Sequence, residues 1–537
     1  MIKIIYFNVL SILLYFVYYG LKKHNSRIKI LSYLGILSSI IYITWRLFFT
    51  IPTDNIMSLI FGILLISFEI VSILQSFIFK FLFSKKHSKI KLNKDENFTD
   101  KLPTVDIFIS TYNESYEILE RTIVSAKAID YPKDKFNVYI GDDGKREKIQ
   151  KLANKYKVNY CTREDNSFAK AGNINNMFSK SNGEFILLLD ADMIPRKNIL
   201  EEMIYYFEDS KMGFVQAPQV FYNLDPFQYN LNFNNSIPNE QDFFMRTIQE
   251  KRAYYNAVLH VGTNAVFRRD AIRDIGGIPT GSITEDMATG LLIQNEGYKS
   301  YFVSETLAIG LAVESFEDYI VQRDRWCRGN LQVFRKYNPF KMKNINFIQK
   351  AIYSDGLLYW MFGLQKMTYI ISPLLYLLFG IKILNTNGYD LILFFVPYYI
   401  GSNLFFKALS DNTRNMVWSH IYDTAIAPQI AMSYIKETFF SKFMKLKFNV
   451  TPKGLVNNVQ KFKWELAIYN IILIIISSIA FIKGISIILK FNFRTEIYSA
   501  TAINLFWLLL MLLQYLYLYL LLLKKQDIEK QKEQVWN

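Results

Sequence analysis

The sequence predicts a membrane protein: an α-helical bundle of about seven spans that carries one cytosolic α/β domain. Two observations carry this prediction. Apolar residues make up 51% of the 537 residues and concentrate before residue 84 and after residue 356. Between these regions, from Val105 to about Leu200, apolar runs of strand length alternate with helical patterns, which is typical of a mostly parallel sheet with helices on both faces.

Seven apolar segments approach the roughly 20 residues that a spanning helix needs. They are about Ile4–Leu21, Ile28–Phe49, Ile56–Phe83, Leu357–Leu384, Leu391–Phe406, Leu466–Ile482 and Ala500–Leu523. We therefore expect three spans in region 1–84 and four in region 341–523, with a soluble domain over 85–340 and a short tail over 524–537.

Lysine and arginine residues indicate the orientation. They cluster after the first, third, fifth and seventh spans, whereas the loops near Pro52–Asn55 and Asn385–Asp390 have none. The positive-inside rule then places the middle domain and the C-terminus in the cytosol and predicts a multi-pass protein of the plasma membrane. The net charge of +15 fits attraction to the anionic headgroups of the lipid bilayer, and we expect no nucleic-acid partner because the basic residues lie beside membrane spans.

The most informative motif is Asp190-Ala191-Asp192, which follows the apolar run Phe185–Leu189. A strand buried on both faces delivers side chains to the carboxyl edge of an α/β sheet, where ligands bind. Two carboxylates there can bind a hard divalent cation, Mg²⁺ or Mn²⁺, that holds the phosphates of a nucleotide. A solvated turn is the alternative for the motif alone.

Polar residues also follow two neighbouring strands. Thr111, Tyr112 and Glu114 end the first strand, and Asp143 follows the second. These side chains could hydrogen-bond a nucleoside, although helix capping explains each motif equally well. The sequence has no Gly-x-Gly-x-x-Gly and no Gly-x-x-x-x-Gly-Lys motif, so a dinucleotide fold and a P-loop ATPase are unsupported.

Two later motifs suit the chemistry of sugar transfer. Thr284-Glu285-Asp286 begins a helical pattern, and Asp286 near the metal carboxylates could deprotonate a sugar hydroxyl. In Gln322-x-x-Arg325-Trp326, arginine suits a pyrophosphate and tryptophan suits a sugar ring. A helix dipole effect for Asp286 and an interfacial helix for the second motif are the alternatives.

In their order, Ser-Thr-Tyr-Asn-Glu, Asp-Asp-Gly, Ala-Lys-Ala-Gly-Asn, Asp-Ala-Asp, Thr-Glu-Asp and Gln-x-x-Arg-Trp resemble the catalytic subunit of bacterial cellulose synthase and its processive family-two glycosyltransferase relatives. The resemblance covers about residues 105–453. It implies a GT-A fold, a UDP-sugar donor, a divalent cation and inversion at the anomeric carbon. Region 441–457 contains Phe448-Asn449-Val450-Thr451-Pro452-Lys453, which is similar to the gating loop of this family, and Met416–Lys436 would be an interfacial helix before it.

The resemblance also implies a role for each matching residue. Asp286 would be the general base, and Asp190 and Asp192 would hold the metal. The UDP-sugar would be bound by Thr111, Tyr112, Glu114, Asp143, Lys170, Asp190, Asp192, Gln322, Arg325, Thr451 and Lys453. The growing polysaccharide acceptor would contact Val261, Gly262, Thr263, Glu285 and Trp326.

Two departures from the family pattern matter. His260-Val261-Gly262-Thr263 stands where cellulose synthases usually have Phe-Cys-Gly-Ser, so mixed β-1,3/1,4 linkage is as open as pure β-1,4 linkage. Only 14 residues follow Leu523, too few for a PilZ domain, so we expect cyclic-di-GMP control to require a separate regulatory subunit.

Two other functions stay open on sequence alone: a non-processive transferase that adds one sugar from a UDP-sugar to a lipid carrier, and a polysaccharide export channel without chemistry. Glucose is favoured as the donor sugar, with N-acetylglucosamine, mannose or a hyaluronan-type pair as alternatives. Accessory export subunits are also possible partners.

Overall fold

The computed structural model describes residues 1–84, 102–230, 239–410, 414, 416–441, 464–491 and 495–523. The predicted gating loop, with Thr451 and Lys453, and the tail after Leu523 lie outside these residues.

Three long helices form the N-terminal region: α1 (Ile2–Gly20), α2 (His24–Phe49) and α3 (Ile56–Ser84). The α/β domain follows, with its elements alternating along the chain. They are β1 (Val105–Thr111), α4 (Tyr116–Lys127), β2 (Phe136–Asp142), α5 (Glu147–Tyr156), β3 (Asn159–Cys161), α6 (Ala169–Ser179), β4 (Phe185–Asp190), β5 (Ile194–Pro195), α7 (Ile199–Ile204), β6 (Met212–Gln216), β7 (Val220–Phe221), α8 (Pro226–Asn230), α9 (Gln249–Tyr254), β8 (Ala265–Arg268), α10 (Arg269–Asp274), α11 (Glu285–Asn295), β9 (Lys299–Phe302) and β10 (Ala308–Gly310).

The remaining helices connect this domain to the C-terminal half of the bundle. They are α12 (Phe316–Lys336), α13 (Phe347–Tyr359), α14 (Phe362–Phe379), α15 (Gly388–Ser410), α16 (Met416–Phe439), α17 (Trp464–Lys490) and α18 (Glu496–Leu523).

The main sheet has seven strands in the order β3-β2-β1-β4-β8-β6-β9, and a second sheet has the order β5-β10-β7. In the main sheet, β8 runs antiparallel to β4 and β6, and the other neighbours pair in parallel. The prediction of a mostly parallel sheet therefore holds, with one reversed strand that the sequence pattern did not indicate.

Alternating side chains of the central strands build a core on each face of the sheet. Leu187 and Leu189 of β4 pack with Leu119 and Ile123 of α4 on one face. On the other face, Leu188 packs in a second core together with residues of α6. A strand buried on both faces requires this continuous apolar run, and helices must then cover both sides.

Among the described residues, seven helices are long and apolar enough to cross a membrane. Their number agrees with the seven predicted spans, and six of them overlap the predicted segments closely. The fourth differs, because the apolar segment predicted as Leu357–Leu384 is split between α13 and α14, and the candidate span begins only at Phe362.

Helices α14 and α16 approach closely at Gly363. A Cβ atom on Gly363 would lie 2.6 Å from Ala431 N and 3.0 Å from Ala427 O. Both are backbone atoms, so they cannot move aside by a change of rotamer. We expect Gly363→Ala to destabilise the protein by about 1–3 kcal/mol through overpacking. The thermal denaturation midpoint of the detergent-solubilised protein should fall accordingly.

The matched control is Gly356→Ala in α13, where a Cβ atom meets nothing within 4 Å. Alanine there should stabilise the helix by about 0.5–1 kcal/mol because glycine is costly in a helix interior. Equal midpoints for the two variants would contradict the close helix contact.

Candidate active site

The predicted metal strand and the first strand end together at one edge of the sheet. Parallel pairing of β1 with β4 sets Ser110 opposite Asp190, and pairing of β1 with β2 sets Thr111 opposite Asp142. The polar motifs that follow these strands therefore lie side by side at the carboxyl edge, where α/β sheets bind ligands.

Lys170 connects this edge to the loop that precedes β8. Its ammonium group contacts Asp190 Oδ1 and donates to the carbonyl oxygen of Gly262 at 2.8 Å. Burial lowers the pKa of this amine, but the carboxylates of Asp190, Glu285 and Asp286 outweigh burial and raise the pKa above its ordinary value. Lys170 is therefore a permanent positive charge among three carboxylates.

Gly262 brings the predicted base to the same point. Its φ of +91° lies in the region that favours glycine. A Cβ atom there would lie 3.1 Å from Asp286 Oδ2 and 3.4 Å from Lys170 Nζ. The glycine thus allows both side chains to reach the loop, and Asp286, Lys170 and Asp190 form one cluster.

The two acidic residues at the start of α11 have altered acidity. Burial, and then the neighbouring Asp286 carboxylate, raises the pKa of Glu285 to about 7. Burial also raises the pKa of Asp286, although a hydrogen bond from Met287 N (2.7 Å) and the charges of Lys170 and Arg325 act in the opposite direction. A carboxylate with a raised pKa is a better proton acceptor near neutral pH.

The predicted nucleoside residues form a connected network at the end of β1. Glu114 Oε2 accepts from Thr111 Oγ1 (2.6 Å) and from Tyr112 N (2.9 Å). The Tyr112 side chain is 48% exposed, so its ring is open to a ligand. Arg146, which the sequence did not single out, donates to Thr111 Oγ1 at 2.7 Å and pairs with the buried Asp142 at 3.1 Å.

Asp143 also has a partner that the sequence analysis missed. Arg163 donates through Nε and Nη2 to the two oxygens of Asp143 at 2.7 and 2.6 Å, which is the bidentate geometry of a strong ion pair. The same guanidinium donates to the carbonyl oxygen of Ala169 at 2.8 Å. Arg163 therefore positions both Asp143 and the first turn of α6, where Lys170 lies.

Hydrogen bonds of two buried side chains hold the predicted acceptor loop in place. Thr263 is buried, and its hydroxyl accepts from Asp190 N (2.9 Å) and donates to Asn264 Oδ1 (3.1 Å). Gln216, the last residue of β6, is another residue missed from sequence: it pairs with His260 Nδ1 (2.9 Å) and accepts from Val261 N (3.2 Å). Thr263 therefore braces Asp190 in this structure, and acceptor contact by this loop stays a prediction.

The Gln-x-x-Arg-Trp motif lies on α12. Gln322 is buried, and the guanidinium of Arg323 lies 4.3 Å from the Trp326 ring centre, so one face of the indole is covered. Arg323 also forms a buried ion pair with Glu240. The charge of Arg325 acts against burial by lowering the pKa of both Glu285 and Asp286, so the motif lies near the predicted base.

The donor set at the end of β4 fits a divalent cation of the Mg²⁺ or Mn²⁺ kind. Asp192 is buried, and the Asp190 side chain is 27% exposed. Within the described ranges, no group of three or more His, Cys, Asp or Glu residues is arranged to hold a metal. Two carboxylates match the usual protein share of a Mg²⁺ site, in which water and substrate phosphates supply the other ligands.

The pairing of Arg163 with Asp143 yields a prediction for UDP, the nucleotide expected from the resemblance. Arg163→Gln leaves a buried carboxylate without its fork of donors and loosens the start of α6. We expect the affinity for UDP, measured by titration calorimetry, to fall about tenfold, which is about 1.4 kcal/mol.

Lys151→Gln is the matched control, because the pair of Lys151 with Glu147 is exposed at 73% and 77% and contributes little. Unchanged UDP affinity in Arg163→Gln would exclude a role of this ion pair in the nucleotide site.

Comparisons with known proteins identify related sequences and a related fold. Residues 106–276 match the model of Glycosyl transferase family 2. The chain is 32% identical over 502 residues to a cellulose synthase catalytic subunit (UDP-forming) of Pseudomonas fluorescens strain SBW25, and 33% identical over 494 residues to a cellulose synthase 1 catalytic subunit (UDP-forming) of Komagataeibacter xylinus. Each alignment covers 92% of this chain but 66% of the relative, so the chain spans just under two thirds of their length.

A solved structure resembles the fold. The mannosyltransferase PcManGT from Pyrobaculum calidifontis, in complex with GDP-Man and Mn²⁺, superposes with a TM-score of 0.50 at 16% identity, over 71% of this chain and 98% of that one. The predicted GT-A fold is thereby confirmed. Residues 106–276 form a glycosyl transferase family 2 domain, in a chain related over most of its length to the catalytic subunits of bacterial cellulose synthases.

Proposed function

We propose that the protein is a processive, inverting glycosyltransferase that polymerises UDP-glucose into a β-glucan and moves the chain across the plasma membrane. One observation carries the proposal: Asp286 and Lys170 meet at Gly262 at the carboxyl edge of the sheet, and the same lysine contacts Asp190. A general base can accept the proton of an acceptor hydroxyl, and a fixed cation beside a carboxylate that can hold a metal suits the charge of a departing nucleotide. The UDP-forming relatives favour UDP-glucose as the donor.

In this mechanism Asp286 accepts the proton of the acceptor hydroxyl as its oxygen attacks the anomeric carbon. The carbon–oxygen bond to UDP breaks on the opposite face, so the configuration inverts. Lys170 and Arg325 stabilise the negative charge that builds on the departing diphosphate. A divalent cation held by Asp190 and Asp192 supplies further positive charge there when it is bound.

The membrane helices support polymer export by the same chain. Helix α12 carries Trp326 and packs with Leu331 and Cys327 against bundle residues of α14 and α16. A sugar that contacts Trp326 would therefore stand at the junction of domain and bundle. The positive-inside pattern puts this junction on the cytosolic side, where UDP-sugars are made, and accessory subunits would receive the chain outside.

The loop His260-Val261-Gly262-Thr263 bears on the linkage, β-1,4 or mixed β-1,3/1,4. Burial and the nearby charge of Lys170 lower the pKa of His260 to about 3, so the ring is neutral and acts as a fixed spacer beneath the loop. The distance of Val261 and Gly262 from the His260 ring would determine which acceptor hydroxyl faces Asp286.

Reconstitution tests the proposal and the role of Asp286 together. Proteoliposomes with Mg²⁺ or Mn²⁺ and radiolabelled UDP-glucose should yield an insoluble product that linkage-specific β-glucanases digest. Asp286→Asn should reduce polymer at least a thousandfold because the base is lost, while UDP affinity stays within about twofold. Parallel reactions with UDP-N-acetylglucosamine define the donor sugar.

Glu296→Gln, at the exposed C-cap of α11, is the control for a carboxylate-to-amide change at the other end of the same helix. A short, lipid-extractable product from the wild type would instead indicate a non-processive transferase. Full polymer yield in Asp286→Asn would refute the assigned base.

The raised pKa of Asp286 predicts the acid side of the pH profile. Polymerisation requires the deprotonated carboxylate, so the rate should fall as the pH drops through this pKa. Lys170 lowers the pKa of Asp286 by its charge, so Lys170→Gln should move the acid limb to higher pH, besides lowering the maximal rate.

Lys180→Gln removes an exposed lysine at the end of α6 and should leave the limb in place. Initial rates of UDP release are measured over a pH series and scaled to the maximum of each variant. The scaled profiles give the pH at which the acid limb falls. A shift to lower pH in Lys170→Gln would contradict the proposed electrostatics.

A further inference from the structure

A cavity of about 320 Å³ lies between the C-terminal half of α12 and the end of α16, away from the Asp190–Asp286 cluster. Three basic side chains and one carboxylate line it: Arg328, Arg335, Lys336 and Glu437. Gly281, Gln332 and Ser441 complete the wall. The site described above uses none of these residues.

Glu437 is buried, and its carboxylate is fully engaged. It is contacted by Arg328 Nε at 3.3 Å, Arg335 Nη1 at 3.1 Å and Gln332 Nε2 at 3.1 Å. Arg328 has a second, longer contact with Asp324 at 3.8 Å. Counting both carboxylates against the three basic groups, one positive charge is left over at the mouth of the cavity.

Lys336 carries that charge. Its ammonium group donates to the carbonyl oxygen of Thr280 at 2.6 Å, a neutral acceptor, and within the described part of the chain no carboxylate pairs with it. Gly281, with φ +87°, leaves the space for this group, because a Cβ atom there would lie 2.8 Å from Lys336 Nζ. The Arg335 side chain beside it is 47% exposed. Two cationic groups therefore face the opening.

We propose that this cavity binds the phosphate group of an anionic ligand, with Arg335 and Lys336 as the binding groups and Glu437 as the internal competitor. The planar guanidinium of an arginine can donate to two phosphate oxygens at once, and the ammonium group of a neighbouring lysine adds a point charge. The phosphate comes from a phospholipid headgroup or from a soluble phosphate compound. Phe439 and Phe440, 70% and 53% exposed just after Glu437, place apolar rings beside the opening, as at a bilayer surface.

A ligand in the cavity would affect the proposed base, Asp286, through a short series of contacts between α12 and the start of α11. Gln332, which contacts Glu437, also accepts from Ile283 N at 3.2 Å, three residues before Asp286. Gly329 of α12 packs on Thr284 so closely that a Cβ atom would lie 2.4 Å from its methyl group. A phosphate that draws Arg335 away from Glu437 therefore changes the support of the Thr284–Asp286 turn. This regulatory step rests on the proposed function, whereas phosphate binding does not.

The test measures binding rather than turnover, on the full-length protein in nanodiscs. One arm uses native mass spectrometry to count phosphatidylglycerol retained from mixed phosphatidylglycerol and phosphatidylcholine discs. The other titrates inorganic phosphate into protein in phosphatidylcholine discs. Lys336→Gln should weaken binding about fivefold, the factor expected from one lysine beside an anionic group, and Lys341→Gln, an exposed lysine outside the cavity, should not. Glu437→Gln should strengthen binding because the competing carboxylate is gone.

The opposite effects expected for Lys336→Gln and Glu437→Gln distinguish an electrostatic effect from misfolding, because a misfolded protein does not bind phosphate more tightly. If phosphatidylglycerol retention falls in Lys336→Gln and rises in Glu437→Gln, the phosphate comes from the lipid. If only the binding of inorganic phosphate changes in this way, the phosphate comes from a soluble compound. If neither probe is weakened by Lys336→Gln, the cavity is not a phosphate site. UDP affinity of each variant, expected to be unchanged, keeps this outcome independent of whether the protein makes polymer.

Discussion

The ammonium group of Lys170, which is partly buried, is the contact on which the site depends. It joins the end of β4, through Asp190, to the carbonyl of Gly262, and it lies beside Asp286. Without it, three carboxylates would crowd one partly desolvated space, and each would raise the pKa of the others. With it, the pKa of Asp286 is raised less than burial alone would raise it, and a positive charge stands where the proposed mechanism places the departing diphosphate.

The one reversed strand of the sheet explains how the loop reaches this lysine. Because β8 runs antiparallel to β4, with Ala265 opposite Leu188, the residues just before β8 lie beside the residues just after β4. Thr263 Oγ1 then accepts from Asp190 N, and Gln216 of β6 holds the loop from the other neighbouring strand. A wholly parallel sheet would start β8 at the opposite edge, so the His260–Thr263 loop and the carboxylates that follow β4 would be a strand length apart.

The sequence predicted best what depends on local pattern. The strands before Thr111 and Asp190 follow from short apolar runs, and the spans follow from length and hydropathy. What it missed depends on contacts between distant segments: Arg163 with Asp143, Gln216 with His260, and Glu240 with Arg323, the last pair separated by 83 positions. No periodicity marks such partners. The break between α13 and α14 was missed for a related reason, since residues 357–384 read as one apolar segment and the turn at Trp360–Met361 contains no proline or glycine.

Helix α12 ties the chemistry to the membrane because one rigid element serves both. Phe316, Tyr319 and Ile320 in its first turns, and Cys327 and Leu331 later, pack into the core of the bundle. From the same helix Arg325 acts on the acidity of Asp286, and Gln332 holds the backbone at Ile283. A helix does not bend without cost where its hydrogen bonds are intact, so we expect a displacement of the bundle to move Trp326 and the surroundings of Asp286 together. In the proposed mechanism, a chain that leaves past Trp326 and a base that accepts the proton of the next hydroxyl would share one mechanical support, which suits repeated transfer to a moving end.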